Sequence, residues 1–171
     1  TNHINAGKIR YIAASQHSGA RLQNALDTAK ANNLASYIAL QDHYNLMTRN
    51  PFESEQQAVV AKNGLSALPF YGLAKGFLTG KYRPGVTVES VRAEAAKEYM
   101  TPTGWAIIDA LDAIAKNHGA SMSAVALAWL RSNPTVSAPI ASARTVEQLL
   151  EIIQIVKLSG EEVEQLNTAS R

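Results

Sequence analysis

Four short runs, each rich in β-branched or aromatic residues and each followed by a helical repeat, limit what this chain can become. They are IRYIAAS (Ile9 to Ser15), YIALQ (Tyr37 to Gln41), LSALPFY (Leu65 to Tyr71) and VSAPIAS (Val136 to Ser142). Runs of this length and content read as strands. Between Arg21 and Ala31, Leu22, Ala25, Leu26 and Ala29 form one apolar stripe at helical spacing. Ser54 to Asn63 carries Ala58, Val59 and Ala61 and ends at an Asn63-Gly64 stop. Trp105 to Asn117 repeats Ile108, Leu111 and Ala115, and Ser121 to Arg131 repeats Val125, Leu127, Ala128 and Leu130. A further helix opens at Thr145, which stands to Gln148 in capping-box spacing.

Strand then helix, four times over, predicts an α/β fold with four parallel strands joined by helical crossovers. The first three strands start about 28 residues apart, one compact βα unit each. The fourth follows an insertion of roughly Phe77 to Thr101. The strands end in polar residues, Ser15, Gln41, Tyr71 and Ser142. In parallel barrels and open sheets the functional site sits at such strand C-termini.

Composition closes off other classes. Hydrophobic content of 46% with 18% charged residues describes a globular chain. A net charge of +2 gives no argument for nucleic acid or a membrane surface. Without cysteine there is no disulfide framework and no thiolate site, which suits a cytoplasmic location. No apolar run approaches the roughly 18 residues of a membrane span. The four histidines, His3, His17, His43 and His118, follow no metal-ligand spacing, so no metal site is expected. Trp105 and Trp129 lie in helical patterns and are expected in the core, Tyr44 is expected to pack, and Ser90 to Met100 reads as a charged helical stretch of the insertion. The chain opens TNHINAG, without methionine, as a piece of something longer would.

GKIRYIAASQHSG, LQDHYNLMTR, PFYGLAKGFLTGKYRPG and VALAWLRSNPTVSAPIASARTVEQLLE, in that order, resemble the aldo/keto reductases. The resemblance implies residues 1–171 of a single, incomplete domain: the C-terminal half of a TIM (β/α)8 barrel. A whole barrel takes about 250 residues, more than the chain has. It also implies NADP(H), lying across the strand C-termini, with an aldehyde or ketone as substrate of the intact enzyme. By the same resemblance Ser15, Gln16 and Gln41 hold the nicotinamide carboxamide. Phe70 stacks on the nicotinamide, with Tyr71, Gly72 and Leu73 beneath the ring and ribose. Gly76 and Leu78 lend backbone N–H groups and Lys81 lends charge to the phosphates, with Arg83 assisting. Ser142 and Arg144 meet the adenosine 2′-phosphate, and Gln148 and Glu151 the adenine side. A guanidinium fork suits a phosphate dianion and favours NADP over NAD. Gln16, Gly72 and Ile152 stand where the family usually has Asn, Pro and Asn.

The family's catalytic Asp, Tyr, Lys and His belong to the N-terminal half, so no residue of this chain is expected to be catalytic. Three expectations follow for half a barrel with open edges: a partner half, self-association, or a rearranged fragment. The leading reading is the cofactor-binding half of an NADP-dependent carbonyl reductase. The alternative is a non-catalytic nucleotide-sensing or scaffold and oligomerisation module derived from the same fold.

Overall fold

The structure, a computed structural model, describes residues 1–86, 88 and 93–171. Its elements run α1 (Asn2–Asn5), β1 (Ile12–Ser15), α2 (Gly19–Ala31), β2 (Tyr37–Gln41), a π-helical turn (Phe52–Gln56), α3 (Gln57–Lys62) and β3 (Ser66–Ala67). A 3-10 segment (Ala74–Thr79), α4 (Ala93–Ala96) and a 3-10 turn (Lys97–Tyr99) precede α5 (Pro102–His118), α6 (Met122–Ser132), α7 (Val146–Ile152) and α8 (Gly160–Ala169). Of the charged stretch expected from Ser90 to Met100, the first three residues lie outside the described residues.

Among the described residues, the sheet has three parallel strands in the order β1-β2-β3, not the expected four. Ser15 registers with Gln41, and Leu40 with Ala67. The fourth run contributes a single parallel bridge, Ala67 to Val136. Three backbone bonds still lay it beside β3: Ala67 N–H to Thr135 O (2.8 Å), Ser137 N–H to Ala67 O (3.1 Å) and Ile140 N–H to Pro69 O (2.7 Å). Proline explains the shortfall. Pro69 and Pro139 have no N–H to give a ladder, so neither run extends as a regular strand. The Asn133 side chain also accepts the Thr135 N–H and hydroxyl, bending the chain as it enters.

The helices form where their ends are satisfied. Ser18, Thr101, Ser121, Thr145 and Ser159 each cap the following helix with a side-chain oxygen. The apolar stripe of α5 buries Ile107, Ile108, Leu111 and Ile114, and α6 is buried from Ser123 to Leu130. α5 packs on α6 and α8. Trp129 is buried and Trp105 packs partly buried against the same core. Tyr44 is buried between Phe52 and Trp129. Among the described residues, exposed large apolar side chains include two groups. One comprises Ile9, Tyr11 and Ile38 on and before the strands; the other is the α7 stripe of Val146, Leu149, Leu150 and Ile153, continued by Ile155 at 90% exposure.

Candidate functional site

The chain leaving β3 builds the site. Phe70 is bridged to His43, the corresponding residue after β2, and its N–H donates to Asp42 O at 2.9 Å. From there the backbone turns sharply. Tyr71, Ala74 and Lys75 all take left-handed φ values of 53°, 46° and 54°, and Gly76 follows at 93°. Left-handed backbone costs a residue with a Cβ about 1–2 kcal/mol, and such outliers gather at functional sites. The turns wind this segment around one side of a cleft of about 580 Å³.

The opposite side comes from the fourth run and α7: Ile140, Ala141, Ser142, Arg144, Gln148, Glu151 and Ile152. Gly72 forms part of the floor because its backbone presses on α6. A Cβ there would meet Leu130 Cδ1 at 3.0 Å and Leu127 Cδ2 at 3.2 Å. Arg144 N–H donates to Gln148 Oε1 at 3.0 Å, while Gln148 N–H donates to Thr145 Oγ1 at 3.3 Å. The Gln148 side chain thus ties down Arg144 instead of closing a capping box onto Thr145.

Of the residues named from sequence, Phe70, Tyr71, Gly72, Leu73, Gly76, Lys81, Ser142, Arg144, Gln148 and Glu151 line this one cleft. Ser15, Gln16 and Gln41 stand outside its lining, at the ends of β1 and β2. They are joined to each other there: Ser15 Oγ donates to Gln41 Oε1 (3.3 Å), and the Gln16 N–H donates to Gln41 O (3.0 Å). Leu78 is fully buried. The N–H groups of Gly76 and Leu78 both donate to Leu73 O, at 2.8 and 3.3 Å, so they close the turn. Arg83 donates to Tyr82 O and approaches Asp112 at 3.9 Å. His17 turns its Nδ1 to Ser15 O at 2.9 Å.

Charge at the cleft is mainly positive. Lys75, Lys81 and Arg144 line it, with Glu151 as the carboxylate. Lys81 Nζ lies 5.0 Å over the Tyr82 ring. Lys75 is the residue sequence reasoning passed over. It sits 5.9 Å from the Tyr71 ring and 5.8 Å from the Tyr99 ring, and pairs with Glu98 at 2.6 Å. That hydrogen bond holds the Glu98 carboxyl below its ordinary range. Burial, with Glu98 adding to it, pushes the Tyr99 phenol up to about 12. The signal for Lys75 was its place between Leu73 and Gly76, a cation inside the glycine-containing loop.

Two cations from separate segments, Lys81 and Arg144, in a cleft also lined by Phe70 and Tyr71, suit a polyanion that also carries flat rings. Among the described residues, no three His, Cys, Asp or Glu side chains gather as metal ligands. No described helix is long and apolar enough to cross a membrane.

Comparison with known proteins gives a consistent answer. The profile described as "Aldo/keto reductase family" matches residues 1–171. A putative voltage-gated potassium channel subunit beta of Schizosaccharomyces pombe is 32% identical over 164 residues, 92% of this chain and 48% of that protein. Aldo-keto reductase AMT2 of Alternaria alternata is 32% identical over 174 residues, 95% of this chain and 44% of the relative. A crystal structure of the thermostable aldo-keto reductase Tm1743, in complex with the inhibitor epalrestat, superposes with a TM-score of 0.74 at 26% identity. That match covers 98% of this chain and 51% of the other. The chain spans about half the length of the curated relatives it matches.

Proposed function

This chain belongs to the aldo/keto reductase family, and from that premise we propose that it is the cofactor-binding part of an NADP-dependent carbonyl reductase. The observation that carries the reading is the single cleft on which Phe70, Lys81 and Arg144 converge from two distant stretches of sequence. The donor set fits a phosphorylated nicotinamide nucleotide. A guanidinium and an ammonium answer phosphate, an aromatic face answers a flat ring, and the Ser15–Gln41 pair offers both donors and acceptors to an amide. When bound, that nucleotide supplies a hydride to an aldehyde or ketone. Arg144, oriented by Gln148, would hold the 2′-phosphate, and Lys81 the bridging phosphates. Phe70 and Tyr71 would exclude water from the ring, and Ser15 and Gln41 would orient its carboxamide.

No side chain here is assigned the proton transfer to the carbonyl oxygen. The family's Asp, Tyr, Lys and His have no counterpart among residues 1–171, so this chain by itself binds nucleotide and does not turn over. The open α7 stripe and the exposed apolar residues at β1 and β2 support a partner surface, because contiguous exposed apolar patches mark interaction sites. The occupant proposed is a complementary half-barrel or a second copy, completing a (β/α)8 barrel in a cytoplasmic enzyme.

A second reading draws on the potassium channel subunit beta among the relatives: a non-catalytic module that keeps the nucleotide cleft for sensing or assembly. Fluorescence titration with NADPH tests the shared premise, since a chain that fails to bind refutes both readings. Adding a separately expressed N-terminal half of a family member then separates them. Aldehyde reduction that appears only with both halves supports the reductase. Binding without turnover in the restored barrel supports the module.

A further inference from the structure

Phe70 and Tyr71 face the cleft, yet what holds them lies behind it. Asn45 is fully buried in the loop after β2. Its Oδ1 accepts two backbone N–H groups, from Met47 at 2.8 Å and Thr48 at 2.9 Å, which settles the orientation of the amide. Its Nδ2 therefore donates, to Tyr71 O at 2.8 Å and toward His43 Nε2 at 3.1 Å. An amide NH2 only donates, so the His43 Nε2 opposite it must be unprotonated. The His43 ring stacks on Phe70 with centroids 5.5 Å apart and planes 19° apart, and meets Tyr71 edge-on at 5.4 Å.

We infer that Asn45 and a neutral His43 are positioning residues for the Phe70–Tyr71 wall. Asn45 anchors the left-handed Tyr71 backbone, and His43 backs the Phe70 ring. Protonation of His43 sets an N–H against the Asn45 NH2, so either the stack or the Tyr71 anchor gives way and the wall loosens. The groups facing His43 divide. Lys75 opposes a positive imidazole, while Asp42 and Glu98 favour one; Tyr71, Phe70 and Asn45 bring no formal charge. Burial is the largest influence, and the pKa lies below its ordinary 6.5. The wall is therefore intact above that value and is lost as pH falls through the lowered one. As a nucleotide-binding effect, this rests on the reading of the cleft given above.

The test uses the 171-residue chain with NADP+ as probe, titrated by calorimetry between about pH 5 and pH 8. His43→Gln keeps an acceptor for Asn45 and cannot titrate; His43→Phe keeps a ring on Phe70 and offers no acceptor. Both variants retain the nucleotide's own phosphate titration, which cancels in the comparison. Wild type should lose about fivefold more affinity on acidification than His43→Gln, the equivalent of one hydrogen bond. His43→Phe should bind about fivefold more weakly than wild type already at the alkaline end. Superimposable profiles for wild type and His43→Gln overturn the inference, as does unimpaired binding by His43→Phe.

A ligand-free readout separates this idea from the nucleotide reading. Nitrogen-15 NMR of the His43 imidazole should give an Nδ1–H tautomer that titrates below 6.5, with the Tyr71 amide shift following it. An Nε2–H tautomer overturns the positioning role. The expected tautomer with no NADP+ binding at any pH upholds the positioning role and refutes the nucleotide reading instead.

Discussion

Replacing Arg49 by Met should release the C-terminal helix from the loop after β2. Arg49 Nε donates to both carboxylate oxygens of Glu53, at 2.8 and 3.0 Å. Its Nη1 donates to Asn167 O at 3.1 Å and Ser170 Oγ at 2.9 Å, beside the end of α8. The guanidinium also lies 5.6 Å from the Trp129 ring centroid. Tyr44 OH donates to the same Glu53 oxygen at 2.8 Å, and burial keeps that phenol above its ordinary range, so it remains a donor.

The magnitude follows from exposure. The Arg49 and Glu53 side chains are 20% and 27% exposed, between the buried pairs whose breakage costs about 3–5 kcal/mol and the surface pairs worth about 0–1. Methionine retains the apolar stem over Trp129, so the packing loss is small. About 2–3 kcal/mol is therefore expected, roughly 5–10 °C in Tm for a chain of this size. Urea denaturation followed by tryptophan fluorescence measures it, and hydrogen exchange should localise the loss to α8. Tyr44→Phe alone should cost about 1 kcal/mol. The double variant should depart from additivity by at least about 0.5 kcal/mol, because both donors end on Glu53. A loss under about 0.5 kcal/mol for Arg49→Met, or strict additivity with Tyr44→Phe, would refute the clamp.

Three further outcomes follow. Arg144→Ala should weaken NADP+ binding about 10- to 100-fold while leaving NAD+ nearly unchanged, and equal losses for both nucleotides would remove Arg144 from the 2′-phosphate. Gly80→Ala should destabilise by at least about 1–2 kcal/mol in thermal unfolding, since Gly80 has φ +79° and an added Cβ would collide with Met122 Sδ; a neutral result would show that the turn relaxes. The Ser159 N–H, at 2.8 Å, holds the Glu162 carboxyl below its ordinary 4.5. Its contribution is thus present above that value and lost as pH falls through the lowered one. Glu162→Gln should flatten this limb in acid unfolding curves, and an unchanged limb would exclude the capping carboxylate as its source.

Much of the fold was legible because its signals are local. β2 runs Tyr37–Gln41 as the sequence reading placed it, and α5 and α6 lie within a few residues of their apolar stripes. Where the structure departs from the sequence pattern, the causes are also local. Pro69 and Pro139 were visible inside two strand-like runs, and each removes a donor from the ladder that would have completed the fourth strand. α8 carries a full capping box at Ser159 and Glu162, masked because its apolar stripe is thin. At the site, the glycine-containing loop stood out by residue type, and the segment around Arg144 by its resemblance to the family. Lys75 stands in that loop, but its place over the aromatic rings is set only by the turn at Tyr71 to Gly76.

The sequence alone determined the alternation of strand and helix through β3, the apolar stripes of the helices, and which stretches carry basic residues. These depend on backbone propensity and on spacing within a few residues. Only the tertiary structure decided that residues after β3 and before α7 face each other across one cleft, and that Asn45 anchors Tyr71 from 26 positions away. The physical reason is burial. An amide shut away from water must find its partners in whatever backbone the fold brings to it, and no local pattern specifies which.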